Sequence, residues 1–96
     1  MNFLGRTPKK RDNLAWQIIN GEAIVMILGA SLLKHTDMEI FNETASRIWE
    51  LIDGKRSVKN ITAEIMREYD ISFNNAHKEI MSFLQQMVKK DMIEIT

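Results

Sequence analysis

The residue types that usually carry out catalysis are few in this chain, and they lie far apart in the sequence. There is no cysteine, which excludes thiolate nucleophiles, disulfides and Cys-based metal sites. The two histidines, His35 and His77, fall in different predicted elements and have no serine or carboxylate at the spacing of a catalytic triad. The segment from Gly54 to Ser57 lacks the first glycine of a phosphate-binding loop. We therefore predict no catalytic residue, metal ligand or cofactor, and expect a binding protein rather than an enzyme.

A DNA-binding regulator is one alternative, because three helices beside a β-hairpin are the parts of a winged helix. The third predicted helix carries a mild excess of basic side chains, including Lys78, Lys89 and Lys90. However, thirteen basic side chains balance thirteen acidic ones, and the pI of about 6.7 is unlike that of a typical nucleic-acid binder. The zero net charge likewise gives no general attraction to nucleic acid or to an anionic membrane.

Peptide binding at the edge of a sheet is the interpretation that we prefer. A strand predicted over Met38 to Phe41 is short and would lie at an edge, where its free backbone groups can pair with an extended peptide. A second apolar stripe on the third predicted helix would line a groove beside this strand. The residues of this stripe are His77, Met81, Leu84 and Val88. The same stripe would equally well widen the core, or bury against a second copy of the chain in a homodimer.

The strands that would carry this edge come first in the sequence. Leu14 to Ile19 and Ala23 to Leu28 are predicted strands, and Asn20-Gly21 between them is a typical tight-turn sequence. The second strand is almost continuously apolar, which predicts burial on both of its faces. Met92 to Thr96 alternates apolar and polar residues, which predicts a short closing strand.

Three predicted helices follow the strands. Asn42 and Ser57 are suitable N-caps, since their side-chain oxygens can accept hydrogen bonds from the free N–H groups of a first helical turn. The predicted helices are Glu43 to Ile52, the segment from Ser57 to Tyr69, and Phe73 to Lys90. Strands followed by short helices with short loops indicate a small α+β domain.

The N-terminal residues 1–13 show no periodicity and are predicted to form a flexible basic tail ahead of a single domain over residues 14–96. The longest apolar run, Ala23 to Leu33, is too short to span a bilayer. The N-terminus has no signal-peptide pattern, and together with the lack of cysteine this leads us to expect a cytoplasmic protein.

Several short blocks stand in a characteristic order in the sequence. They are Phe41 to Ala45, Ile48-Trp49, Asp53-Gly54, Ser57-Val58, Ile61, Tyr69, Phe83-Leu84 and Asp91 to Ile93. Through these blocks the chain resembles the PqqD-like family over about residues 14 to 95. The order and spacing of these blocks match the family. Asp91 differs, because it stands where the family often has a glycine at the end of the third helix.

The resemblance implies a winged-helix-like fold, in which a three-stranded antiparallel sheet packs on three helices. It also implies a domain without chemistry of its own, which binds the leader of a ribosomally made precursor peptide as an extra strand. Such a domain presents the precursor peptide to a modifying enzyme, often a radical S-adenosylmethionine enzyme. Carried onto this chain, the resemblance places the pairing strand at Asp37, Met38, Glu39 and Ile40. It places the groove wall at His77, Met81, Leu84 and Val88.

Overall fold

Three strands form an antiparallel sheet that packs against three helices, in a computed structural model that describes residues 3–28 and 38–96. The strands are β1 (Pro8–Lys10), β2 (Leu14–Ile19), β3 (Glu22–Ile27), β4 (Met38–Ile40) and β5 (Ile93–Ile95). The helices are α1 (Glu43–Leu51), α2 (Val58–Tyr69) and α3 (Phe73–Lys89). The main sheet has the strand order β2-β3-β4, so β2 and β4 are its two edges. This arrangement confirms the predicted α+β fold with an N-terminal three-stranded sheet.

The turn between β2 and β3 has the conformation that its sequence predicts. Asn20 and Gly21 both have positive φ angles, 52° and 80°, as a type I′ turn requires. The turn fixes the register of the hairpin, which runs from the pair Ile19 and Glu22 to the pair Leu14 and Ile27. It thereby decides which side chains of β2 and β3 face the helices.

Only one face of β3 is covered, whereas burial on both faces was predicted. Ala23 and Val25 point toward the helices and are fully buried, but Met26 on the opposite face is 39% exposed. The prediction was wrong because the helices pack on one side of the sheet. In the described part of the chain, the apolar residues on the other side of β3 face outward. The sheet therefore has an apolar outer face, to which Met38 and Ile40 of β4 also belong.

The three helices begin and end close to the predicted positions. Asn42 caps α1 by accepting a hydrogen bond from the N–H of Ala45 at 2.9 Å, and Ser57 caps α2 by accepting one from the N–H of Asn60. Their apolar faces meet in a core whose largest fully buried side chain is Trp49. Among the described helices, none combines the length and the apolar composition needed to cross a membrane.

The N-terminal segment differs from the flexible tail that was predicted. Phe3–Gly5 forms a 3₁₀ turn, and β1 pairs antiparallel with β5 near the other end of the chain. Two hydrogen bonds of 3.0 Å between the backbones of Thr7 and Thr96 extend this pairing. β1 was not predicted, because its partner is more than eighty residues away in the sequence and a strand of three residues has no periodic pattern.

Candidate functional site

The edge strand β4 has backbone groups that point away from the sheet. The N–H of Phe41 donates to the carbonyl of Ala23 at 2.9 Å, so Phe41 pairs with β3 through its backbone. Since hydrogen-bonded and non-bonded pairs alternate along antiparallel strands, Glu39 also pairs toward β3, opposite Val25. The N–H and C=O groups of Met38 and Ile40 are therefore the ones that face outward. Among the described residues no strand pairs with them.

A buried serine decides where β4 ends. Ser46 of α1 is 1% exposed, and its hydroxyl accepts a hydrogen bond from the N–H of Ala23 at 2.6 Å. The same hydroxyl donates to the carbonyl of Phe41 at 3.2 Å. It thus replaces the direct bond that would otherwise join the N–H of Ala23 to that carbonyl, and it lets the chain turn into α1. The sequence gives no signal for this role of Ser46, because a serine within a helix is ordinarily solvated.

A pocket of about 310 Å³ separates β4 from α3. Its floor is apolar, with the rings of Phe41 and Phe83 in an edge-to-face contact of 5.1 Å. Its α3 wall is mainly polar and includes Ser82 and Gln86. The complete lining consists of Glu39, Ile40, Phe41, Asn42, Ala45, Ile48, Glu79, Ser82, Phe83, Gln86, Met87 and Lys90. Together with the outward backbone of β4, this pocket forms a groove open to an extended chain.

The charges of the groove come from three side chains. Glu39 points to the helix side of the sheet, since it lies opposite the buried Val25. It forms an ion pair with Lys90, which follows the last turn of α3. Glu79 also lines the groove and forms no ion pair within the residues described. The lining therefore carries one negative charge in excess.

The structure brings together some of the predicted site residues and separates others. Glu39 and Ile40 line the groove, and Met38 precedes them on the same edge. Asp37 lies outside the described residues. The predicted helix stripe is absent from the groove lining. Leu84 is completely buried in the core, where it packs among the helices, and its contact with a peptide stays a prediction.

The remaining members of that stripe lie on the other flank of α3. His77 stacks on Phe73 with a ring separation of 5.2 Å, Met81 is half-buried, and Val88 is 43% exposed. At 3.6 residues per turn, they are roughly half a turn away from Ser82 and Gln86, with the core stripe between the two flanks. Their peptide-binding role stays a prediction. Glu79, Ser82 and Gln86 also line the groove, and the sequence does not indicate them because polar side chains on a helix are usually solvated.

A second constellation lies beneath the other edge, at β2. The ammonium group of Lys10 sits 4.7 Å from the ring centre of Trp16 and 4.9 Å from that of Trp49, and donates a hydrogen bond to the carbonyl of Ile52. Burial lowers the pKa of Lys10 from 10.5 to about 8, and the negative charges of Asp53 and Glu50 partly oppose this shift. The ammonium group thus joins β1 to the end of α1 and to β2.

Comparison with known proteins shows the family to which the chain belongs. The model of the family described as "Coenzyme PQQ synthesis protein D (PqqD)" matches residues 22–93. The chain belongs to the PqqD family. The PqqD match includes β3, β4 and all three helices, and hence the whole groove, whereas β1 and β2 precede its first residue. No curated protein matches the chain.

A solved structure has the same fold. It is titled "TbiB1 in Complex with the TbiA(beta) Leader Peptide", and it superposes with a TM-score of 0.78. The superposition covers 90% of this chain and 94% of that one, at 21% sequence identity. The PqqD-family fold of this chain is thus also the fold of a protein that was solved with a leader peptide.

Proposed function

We propose that this protein binds the leader of a ribosomally made precursor peptide by adding the leader as a strand to β4. The observation that carries the proposal is the β4 edge, with which no other described strand than β3 pairs, beside a groove of about 310 Å³. Membership of the PqqD family and the fold shared with the leader-bound TbiB1 support it. No observation on the structure favours the alternative of a DNA-binding regulator.

Main-chain pairing supplies the affinity in this proposal. The outward N–H and C=O groups of Met38 and Ile40 bond to the peptide backbone, as in β-augmentation generally. Successive peptide side chains then point to opposite faces. One set enters the groove above Phe83, and the other set extends the apolar outer face beside Met38 and Ile40. A leader with apolar residues on both faces fits this arrangement.

The bound leader is then presented to a modifying enzyme. The sequence resemblance suggests an enzyme of the radical S-adenosylmethionine type, and the protein itself has a non-catalytic role. The apolar outer face gives such an enzyme a surface built jointly by the sheet and the added peptide strand.

Amide NMR during titration tests where the peptide pairs. The probe is the leader segment of a precursor peptide, to be identified from the genes that neighbour the gene of this protein. We expect hydrogen exchange of the Ile40 amide to slow on binding, because this N–H gains an acceptor. The Glu39 amide, which already points toward β3, serves as the internal control. Changes confined to α2 or β2 would refute strand addition at β4.

Substitutions on the two flanks of α3 test which flank forms the groove wall. Ser82→Trp fills the groove and should weaken leader binding roughly tenfold or more, as a steric obstacle does. Gln85→Trp adds the same side chain at an exposed position outside the groove and is the matched control. Met81→Glu examines the originally predicted stripe. Calorimetry that finds a loss for Met81→Glu but none for Ser82→Trp would reassign the wall to that stripe.

A further inference from the structure

The second edge of the sheet, β2, is longer than β4 and less protected. It has six residues, Leu14–Ile19, with no charged residue, proline or glycine among them. Trp16, Ile18 and Ile19 are 40%, 37% and 44% exposed. Natural sheets usually protect an edge by shortness, charge, proline or a covering element. In the described part of the chain, β2 has none of these on its outer side.

The backbone of β2 offers outward hydrogen-bonding groups at alternate residues. The N–H of Leu28 donates to the carbonyl of Asn13 at 2.8 Å, so Asn13 pairs toward the β3 side. By the alternation of antiparallel pairs, Ala15, Gln17 and Ile19 pair with β3 as well. The N–H and C=O groups of Leu14, Trp16 and Ile18 then face away from the sheet.

We propose that β2 pairs with β2 of a second copy of this chain, antiparallel across a two-fold axis centred on Trp16. In this register Leu14 lies opposite Ile18 of the second copy, and Trp16 opposite Trp16. Every outward residue of the strand thus meets an outward residue. A register centred on Gln17 would instead oppose Leu14 to Asn20, which belongs to the turn. The Trp16 register therefore makes the most complete use of the outward groups.

The absence of charge on β2 is compatible with pairing to a second copy. Self-pairing brings like charges together wherever an edge strand is charged, but Leu14–Ile19 is uncharged along its length. The contacts across the axis join apolar side chains, apart from Ala15 against Gln17 and Ile19 against Asn13. A two-fold axis perpendicular to the sheet also keeps both sets of helices on the same side.

The resulting dimer has a continuous six-stranded sheet, with β4 at both outer ends. Pairing at β2 leaves each β4 edge free, so the dimer exposes two copies of the groove. The proposal does not depend on what the groove binds.

Sedimentation velocity on the full chain tests the dimer, between about 5 and 500 µM, a range that covers weak interfaces. We expect the 11.2 kDa species to double in mass with increasing concentration. The amides of Leu14, Trp16 and Ile18 should exchange more slowly in the dimer, as measured by NMR. A monomer throughout this range would overturn the proposal.

Two double variants test the register with nearly the same composition. Ala15 and Gln17 are both exposed and lie opposite each other across the proposed axis. Ala15→Lys with Gln17→Lys opposes like charges and should raise the dimer dissociation constant about tenfold, whereas Ala15→Lys with Gln17→Glu should preserve it. Met38→Lys with Ile40→Lys puts two charges on the same face at the β4 edge and should leave the dimer intact.

Circular dichroism of each variant verifies that the fold is retained. Equal dimerisation of the two Ala15 and Gln17 double variants would overturn the register. Dissociation by the Met38 and Ile40 variant would place the contact at β4 instead of β2.

Discussion

The two edges of one sheet are built differently. β4 has three residues, and one of them, Glu39, turns a charge toward the helix side, where Lys90 pairs with it. β2 has six uncharged residues, and the ring of its Trp16 contacts the ring of Trp49 in α1. An inward charge and a short length discourage indiscriminate strand pairing, whereas an uncharged edge invites it. The comparison teaches that β4 has features that restrict strand pairing, whereas β2 lacks them, as the proposed self-pairing requires.

Both edges rest on a single row of aromatic rings. Trp16 contacts Trp49 at 6.1 Å, Trp49 contacts Phe41 at 5.7 Å, and Phe41 contacts Phe83 at 5.1 Å. Two of these contacts are edge-to-face and the one between Trp49 and Phe41 is tilted, and aromatic contacts of these kinds add to the stability given by apolar burial. These ring contacts form a continuous part of the interface between the sheet and the helices, from the β2 edge to the β4 edge.

The largest expected effect is that of removing the outward donor at β4. Ile40→Pro deletes the N–H that the leader would use, and its ring obstructs the incoming strand, so leader affinity should fall on the order of 100-fold. Ile40→Ala retains the N–H and is the matched control. Calorimetry with the leader segment measures both. If Ile40→Pro weakened the proposed β2 dimer more than it weakened leader binding, the assignment of separate roles to the two edges would be wrong.

A moderate effect is expected at the serine that ends β4. Ser46→Ala leaves the N–H of Ala23 and the carbonyl of Phe41 without the hydroxyl that bridges them. Buried groups left unsatisfied cost about 1–3 kcal/mol, so we expect a loss of about 2 kcal/mol in the free energy of unfolding. Urea denaturation measures the loss. Thr62→Val, which removes a buried hydroxyl bonded to the carbonyl of Val58 within α2, is the control distant from the edge. A larger change in leader affinity for Thr62→Val than for Ser46→Ala would show that the serine does not position β4.

The smallest effect concerns the cation beneath β2. Burial lowers the pKa of Lys10 to about 8 from 10.5, so between these values the unfolded chain binds more protons than the folded one. The stability contributed by this group therefore rises as the pH rises from 8 to 10.5. Lys10→Met should flatten that rise, while Lys9→Met, at the exposed neighbouring residue, should retain it. Thermal unfolding across this pH range measures the slopes, and equal slopes for the two variants would contradict the assignment.

The main elements of the fold were predictable because their signals are local. Asn20-Gly21, the Asn42 and Ser57 caps, and the apolar periodicity of the helices each specify structure within a few residues. The pairing of β1 with β5 was not predictable, since the partners are brought together by the fold alone.

The site was predictable in part for a related reason. The edge strand could be identified from its shortness and its position before α1. Periodicity could not decide which flank of α3 faces it, because both flanks border the core stripe symmetrically. Apolar content favoured Met81 and Val88, but the flank beside β4 is the polar one with Ser82 and Gln86. A polar wall is compatible with selection by the groove because the floor of the groove is apolar, and peptide contact by Met81 and Val88 stays a prediction.

The row of aromatic rings has an optical consequence. Its two tryptophans differ in environment, since Trp49 is completely buried and Trp16 is 40% exposed. Trp49 reaches the groove through Phe41, and Trp16 lies at β2 itself. Indole emission shifts toward the blue as water is excluded, so events at the two edges affect different emitters. We therefore expect a strand added at β4 to alter the short-wavelength component, and the proposed pairing at β2 to shift the long-wavelength one. The emission of Trp49 and that of Trp16 are thus expected to report on β4 and on β2, respectively.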